Sequence, residues 1–144
     1  MKKLTFIFLF FISFSAFAFD YHGLKSGMTD NQIKSLTKCK YSSSCSSDDL
    51  DRFFGGEENT PPALSEMRFT YTSDNKLWRI VLSFYERRGP AGVAQLRALN
   101  ELYPDLEIKR EPSTYGAYRI AFLVDSDLFD KDVEKIYNET IDKY

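Results

Sequence analysis

The sequence predicts an α+β domain: an antiparallel four-stranded sheet with helices packed on one face, in the order α-β-β-α-β-β-α. Three observations predict it. Residues 29–33 carry a complete helix-start signal. Two stretches of alternating apolar residues each read as a β-hairpin. Each of those stretches is followed by a segment whose apolar residues recur near every 3.6 positions.

The elements follow in order. In the stretch GLKSGMTDNQIKSL, residues 23–36, Thr29 and Gln32 fit a capping box, in which hydroxyl and carboxamide each accept from the other residue's amide. Met28 before the cap and Ile33 within the first turns have the spacing of a hydrophobic staple, and Asp30 places negative charge at the helix start. Ile33 and Leu36 then form the apolar stripe of the first helix. Residues 42–62 read as a long polar loop closing on Pro61 and Pro62. Its carboxylates Asp48, Asp49, Asp51, Glu57 and Glu58 lack the spacing of a calcium loop and read as a solvated acidic face. Phe53 and Phe54, inside that loop, either tuck it onto the core or form a contact patch.

Met67, Phe69 and Tyr71 alternate along one strand, and Trp78, Ile80, Leu82 and Phe84 along the next, with Ser73, Asp74 and Asn75 as turn residues between them. Gly89 and Pro90 open a helix striped by Val93, Leu96, Leu99, Leu102 and Tyr103, which Pro104 ends. A second hairpin spans 106–124, with Tyr118, Ile120, Phe122 and Val124 as its apolar alternation. Asp125 supplies a cap for a last helix carrying Phe129, Val133, Ile136, Tyr137 and Ile141. The hairpin-helix pairs 66–103 and 106–143 suggest a loose internal duplication without residue-level repetition.

The first eighteen residues read as a secretory signal peptide: Lys2 and Lys3, an apolar run over 4–14, and Ala16-Phe17-Ala18 for cleavage. The run falls short of the ~20 apolar residues that span a bilayer, which argues against an uncleaved anchor. No cysteine at the cleavage site accepts a lipid. The expected mature chain, residues 19–144, is one domain in the periplasm or outside the cell, with no stable membrane insertion. Losing Lys2 and Lys3 takes the net charge from −2 to −4. No basic stripe interleaved with aromatics is present, so nucleic acid is not an expected partner.

Cys39 and Cys45 are the only cysteines, and in an exported chain they are expected to form a disulfide. The alternative, a redox or metal pair, lacks the CxxC spacing and further ligands, because His22 is the one histidine. No metal or other cofactor is expected. No catalytic motif or set of Ser, His and Asp stands out, so a non-enzymatic role is expected. The polar face of the sheet is the expected partner surface. Arg68, Arg79, Tyr85 and Arg119 would project from it, and Arg and Tyr are frequent interface anchors.

Residues 23–33, GLKSGMTDNQI, resemble the G-M-T-x-x-Q-V helix start of the SmpA/OmlA (BamE-like) group of small envelope proteins. That group is similar in general shape to the β-lactamase-inhibitor-protein fold. The aromatic hairpin around Phe69, Tyr71 and Trp78 is also similar. The chain departs from the group in lacking a lipidated cysteine and in carrying Leu36-Thr-Lys-Cys39 where L-G-x-P is usual. The resemblance implies an envelope interaction module whose partner is another envelope or secreted protein. The alternative is an inhibitor or immunity protein that blocks a hydrolase through the loop at 46–62.

Overall fold

A computed structural model describes residues 18–85, 90–104, 106–113 and 116–144. The expected signal peptide, apart from Ala18, lies outside these residues, as do Gly89, Thr114 and Tyr115.

The first described element is a small hairpin, β1 (Asp20–Tyr21) and β2 (Leu24–Lys25), turned by His22 and Gly23, both at positive φ. Helix α1 (Asp30–Thr37) starts as the sequence predicts. The Thr29 hydroxyl accepts from the Gln32 amide and the Gln32 carboxamide accepts from the Thr29 amide. Its buried side chains are Ile33 and Thr37, and Leu36 is 49% exposed, so the stripe runs 33/37 rather than 33/36. Thr37 is compatible with burial because its hydroxyl donates to the Ile33 carbonyl and accepts from the Cys39 amide.

The expected loop at 42–62 is largely built. Strand β3 (Ser44–Ser46) runs straight into helix α2 (Ser47–Phe54), which buries Leu50 and ends on Gly55 at positive φ. The Thr60 hydroxyl donates to the Asp51 carboxylate at 2.7 Å and pins the turns that follow. Then come β4 (Leu64–Tyr71), β5 (Leu77–Tyr85), α3 (Pro90–Leu102), β6 (Glu107–Ser113), β7 (Gly116–Val124) and α4 (Ser126–Ile141).

The main sheet is five-stranded and antiparallel, in the order β3-β4-β5-β7-β6, not four-stranded. The extra strand, β3, pairs with β4 by placing Cys45 opposite Met67. One face is the core side: Met67, Phe69, Ile80, Leu82, Phe84, Ala121 and Leu123 are all buried there. Ile33, Leu50, Leu96 and Leu99 from α1, α2 and α3 join the same cluster, with Phe19, Tyr21 and Leu24. The expectation of helices on one face therefore holds for three of them. The fourth, α4, has no buried residue.

Two register shifts interrupt the β4–β5 pairing, one between Leu64 and Glu66 and one between Thr70 and Tyr71. The second inserts Trp78 as an extra residue on β5. Leu77 stays fully buried, while Trp78 leaves the core side and Arg79 opposes Thr70 on the open face. The β5 alternation expected from Trp78 onward therefore begins at Ile80. A similar inversion affects β7. Its core-facing residues include Ala121 and Leu123, and the larger set Tyr118, Ile120, Phe122 and Val124 lies on the open face.

Cys39 and Cys45 form a disulfide with both residues buried and a Cα–Cα separation of 5.3 Å. It joins the exit of α1 to β3. Replacing both by alanine lowers the unfolding free energy by about 2–2.5 kcal/mol from loop-closure entropy alone, measurable by urea denaturation. Tyr71 gives a second check. Its hydroxyl donates to the Ser42 carbonyl at 2.5 Å, and burial, reinforced by Asp30, raises its pKa above the ordinary 10.0. Burial and then Tyr103 raise that of Tyr21 likewise. A tyrosine that holds its proton more tightly when folded contributes stability that is complete below pH 10.0 and is lost as pH rises beyond it. Tyr71→Phe is expected to cost about 1 kcal/mol at neutral pH through the lost hydrogen bond, and to show a shallower stability loss in alkali than the parent.

Candidate interaction face

The open face of the sheet is built from residues that oppose one another across four strands. Thr70, Arg79 and Val124 form one row, and Arg68, Val81, Phe122 and Glu107 the next. Glu66, Ser83, Ile120 and Lys109 form a third, and Tyr85, Tyr118 and Glu111 a fourth. Val81, Ser83 and Ile120 are buried although no helix of the core side covers them. Long neighbours close over the face. Arg79 reaches over Trp78 and Phe122, and Lys109 lies over Phe122 with its ammonium 5.5 Å from the ring centre.

Arg79 dominates one end of this surface. Its guanidinium carbon stands 4.9 Å from the centre of the Trp78 ring and 5.9 Å from that of Phe122. Nε and Nη2 donate to the Thr70 hydroxyl at 3.4 and 3.3 Å. Among the described residues no carboxylate forms an ion pair with it, whereas Arg68 pairs with Glu66 at 3.8 Å and Lys109 with Glu107 at 3.2 Å. The guanidinium stays charged at any ordinary pH and carries five donors in a planar fork. Two rings and one hydroxyl therefore hold a permanent cation in one orientation without neutralising it.

At the other end of the face Tyr85 stacks on Tyr118, ring centres 5.1 Å apart. Two shallow clefts flank this pair. One, of about 430 Å³, lies between it and residues 60–65; the other, of about 500 Å³, is lined by Ser65, Arg68, Ser83, Glu111 and Tyr118. The structure thus brings Arg68, Arg79 and Tyr85 together on one face. Arg119 does not join them. It stands opposite Phe84 and Arg110, which places it on the core side of the sheet. Phe53 and Phe54 are also elsewhere. They are half-buried at the end of α2, packed against the core and stacked edgewise on each other, with Phe54 also meeting Tyr21 and His22.

Comparison with known protein families, characterised proteins and solved structures gives no match. The geometry of the face therefore carries the functional reading.

Trp78, Tyr118 and Phe122 belong to this surface and were not among the expected contact residues. The signal for Phe122 was present in β7, which is apolar at consecutive positions 120–124 and so offers apolar residues to both faces. Among the described residues, no group of three or more His, Cys, Asp or Glu side chains is placed to hold a metal ion, and no helix is long and apolar enough to cross a membrane.

Trp78 also links the face to α4. Its ring lies 4.6 Å from that of Phe129. Three more contacts fix the same end of the helix. The Asp125 side chain accepts from the Leu128 amide, the Asp125 amide donates to the Trp78 carbonyl, and Asp132 accepts from the amide and hydroxyl of Ser73. Removing two of these anchors with Phe129→Ala and Asp132→Ala is expected to speed amide exchange throughout α4 and to red-shift the emission of Trp78, the only tryptophan. Exchange in β4 and β5 stays at the parent rate.

Proposed function

We propose that this chain is an exported, non-enzymatic domain of the cell envelope that binds another protein through the open face of its sheet. The observation that carries this reading is Arg79. A guanidinium clamped between Trp78 and Phe122, with no carboxylate partner among the described residues, is an anchor whose side-chain entropy is already spent before a partner arrives. Arginine and aromatic residues clustered on one face, beside an exchangeable ion pair such as Glu66–Arg68, are residue types enriched among interface anchors. The disulfide and the leader-like first eighteen residues support export. The partner's own contribution is a carboxylate, since the fork of Arg79 fits one bidentately. Insertion of residues 46–62 into a hydrolase has less support, because residues 47–54 are helix and bury Leu50 against the sheet.

The test is crosslinked capture from an envelope fraction with residues 19–144 as bait, followed by titration of the captured partner. Arg79→Ala combined with Tyr85→Ala is expected to weaken binding by about 2 kcal/mol or more, roughly 30-fold in Kd, with the thermal transition retained. Unchanged affinity in a folded double variant would reject the sheet face as the contact surface.

A further inference from the structure

Helix α4 is amphipathic, yet none of its apolar side chains is buried among the described residues. Val133 is 49% exposed, Ile136 44% and Ile141 52%, and the ring of Phe129 lies against that of Trp78. On a helical wheel Phe129, Val133, Ile136 and Thr140 form one stripe. Asp130 and Glu134 border it on one side, and Asp132 and Glu139 on the other. Lys131 and Lys135 fall on the opposite side of the helix. Residues 126–144 hold six carboxylate side chains and three lysines, so three of the four net negative charges expected of the mature chain sit on this element. Among the described residues no ion pair neutralises any of them.

That arrangement discriminates between occupants. A second copy would bring the same acidic borders against themselves, and like charges across a helix pair are unfavourable. An anionic lipid surface is repelled for the same reason, because membrane-surface helices carry Lys and Arg beside their apolar stripe. We propose that α4 docks, helix-in-groove, into a partner protein that offers an apolar groove bordered by lysine or arginine side chains. Apolar contact supplies affinity, and the acidic borders select the basic groove over neutral or acidic ones. The site is distinct from Arg79 and does not depend on the sheet-face reading: α4 offers carboxylates where the sheet face offers a cation.

The test uses two synthetic amphipathic helical peptides with identical leucine stripes, one bordered by lysine and one by glutamate. Each is titrated into the protein while Trp78 emission is followed. The lysine peptide is expected to bind, with affinity falling as salt is added. The glutamate peptide is expected to bind roughly tenfold or more weakly. Val133→Asp with Ile136→Asp, both at exposed positions and therefore compatible with folding, removes lysine-peptide binding, whereas Leu36→Asp, at an equally exposed apolar position on α1, leaves it intact. Equal binding of both peptides, or binding of neither, overturns the proposal. So does a concentration-dependent dimer in sedimentation that Ile136→Asp abolishes, since that result would make a second copy the occupant.

Discussion

The register of β4 against β5 is the constraint on which the rest of the fold depends. Side chains alternate between faces along a strand, so a slip of one residue would exchange the core set for the open set. The pairs Met67–Leu82 and Phe69–Ile80 hold that register on the core side, and β3 and β7 extend it by adding Cys45, Ala121 and Leu123 to the same face. Three helices then have an apolar plane to cover. The turn that closes the hairpin, residues 72–76, carries the register outward. The Asn75 side chain donates to Asp30 and accepts from its amide at the start of α1, and Ser73 donates to Asp132 of α4. Strand pairing at the centre and helix placement at both sides are therefore set by one hairpin.

The extra residue at Trp78 gives this hairpin its second consequence. Without the bulge, strict alternation from Ile80 would carry the side chain of residue 78 into the core. The shift instead keeps Leu77 buried and presents Trp78 and Arg79 as neighbours. An arginine directly beside a tryptophan on the same strand normally points away from it. The bulge is what allows the guanidinium to lie over the indole, and Phe122, one row away on β7, completes the clamp. A local departure from regular pairing thus produces the most distinctive chemistry on the surface, in keeping with the tendency of bulges to re-aim side chains near functional sites.

Features controlled by near neighbours were legible in the sequence. The capping box at Thr29 and Gln32, the Asp125 cap and the Cys39–Cys45 bridge each depend on residues a few positions apart, and each forms as read. Strand β3 was not legible because its three residues become a strand only by pairing with β4. Helix α2 left a faint signal, Leu50, Phe53 and Phe54 at helical spacing before Gly55, but its polar composition resembled a loop. In β7 the alternation was visible and its phase was not. The small Ala121 occupies the core position beneath the helices, so the larger residues on the other parity looked like the buried set. The same limit applies to Arg119, whose face follows from pairing with Phe84 rather than from its own neighbourhood. Amphipathicity in α4 was equally visible, but a helical stripe reports that an apolar partner is needed, not that the partner lies within the same chain.

That last distinction connects the two surfaces. An isolated helix of sixteen residues is marginal in water, and α4 gains little from the core because none of its residues is buried. Its order derives from its first two turns, where Phe129 meets Trp78, Asp132 meets Ser73 and Asp125 caps the Leu128 amide. The residues beyond, from Val133 onward, are exposed and propagate from that anchored start. Trp78 is therefore shared: one side of its environment is the Arg79 guanidinium, the other the Phe129 ring. The bulge that turns Trp78 outward therefore sets both the clamp on Arg79 and the anchored start of α4.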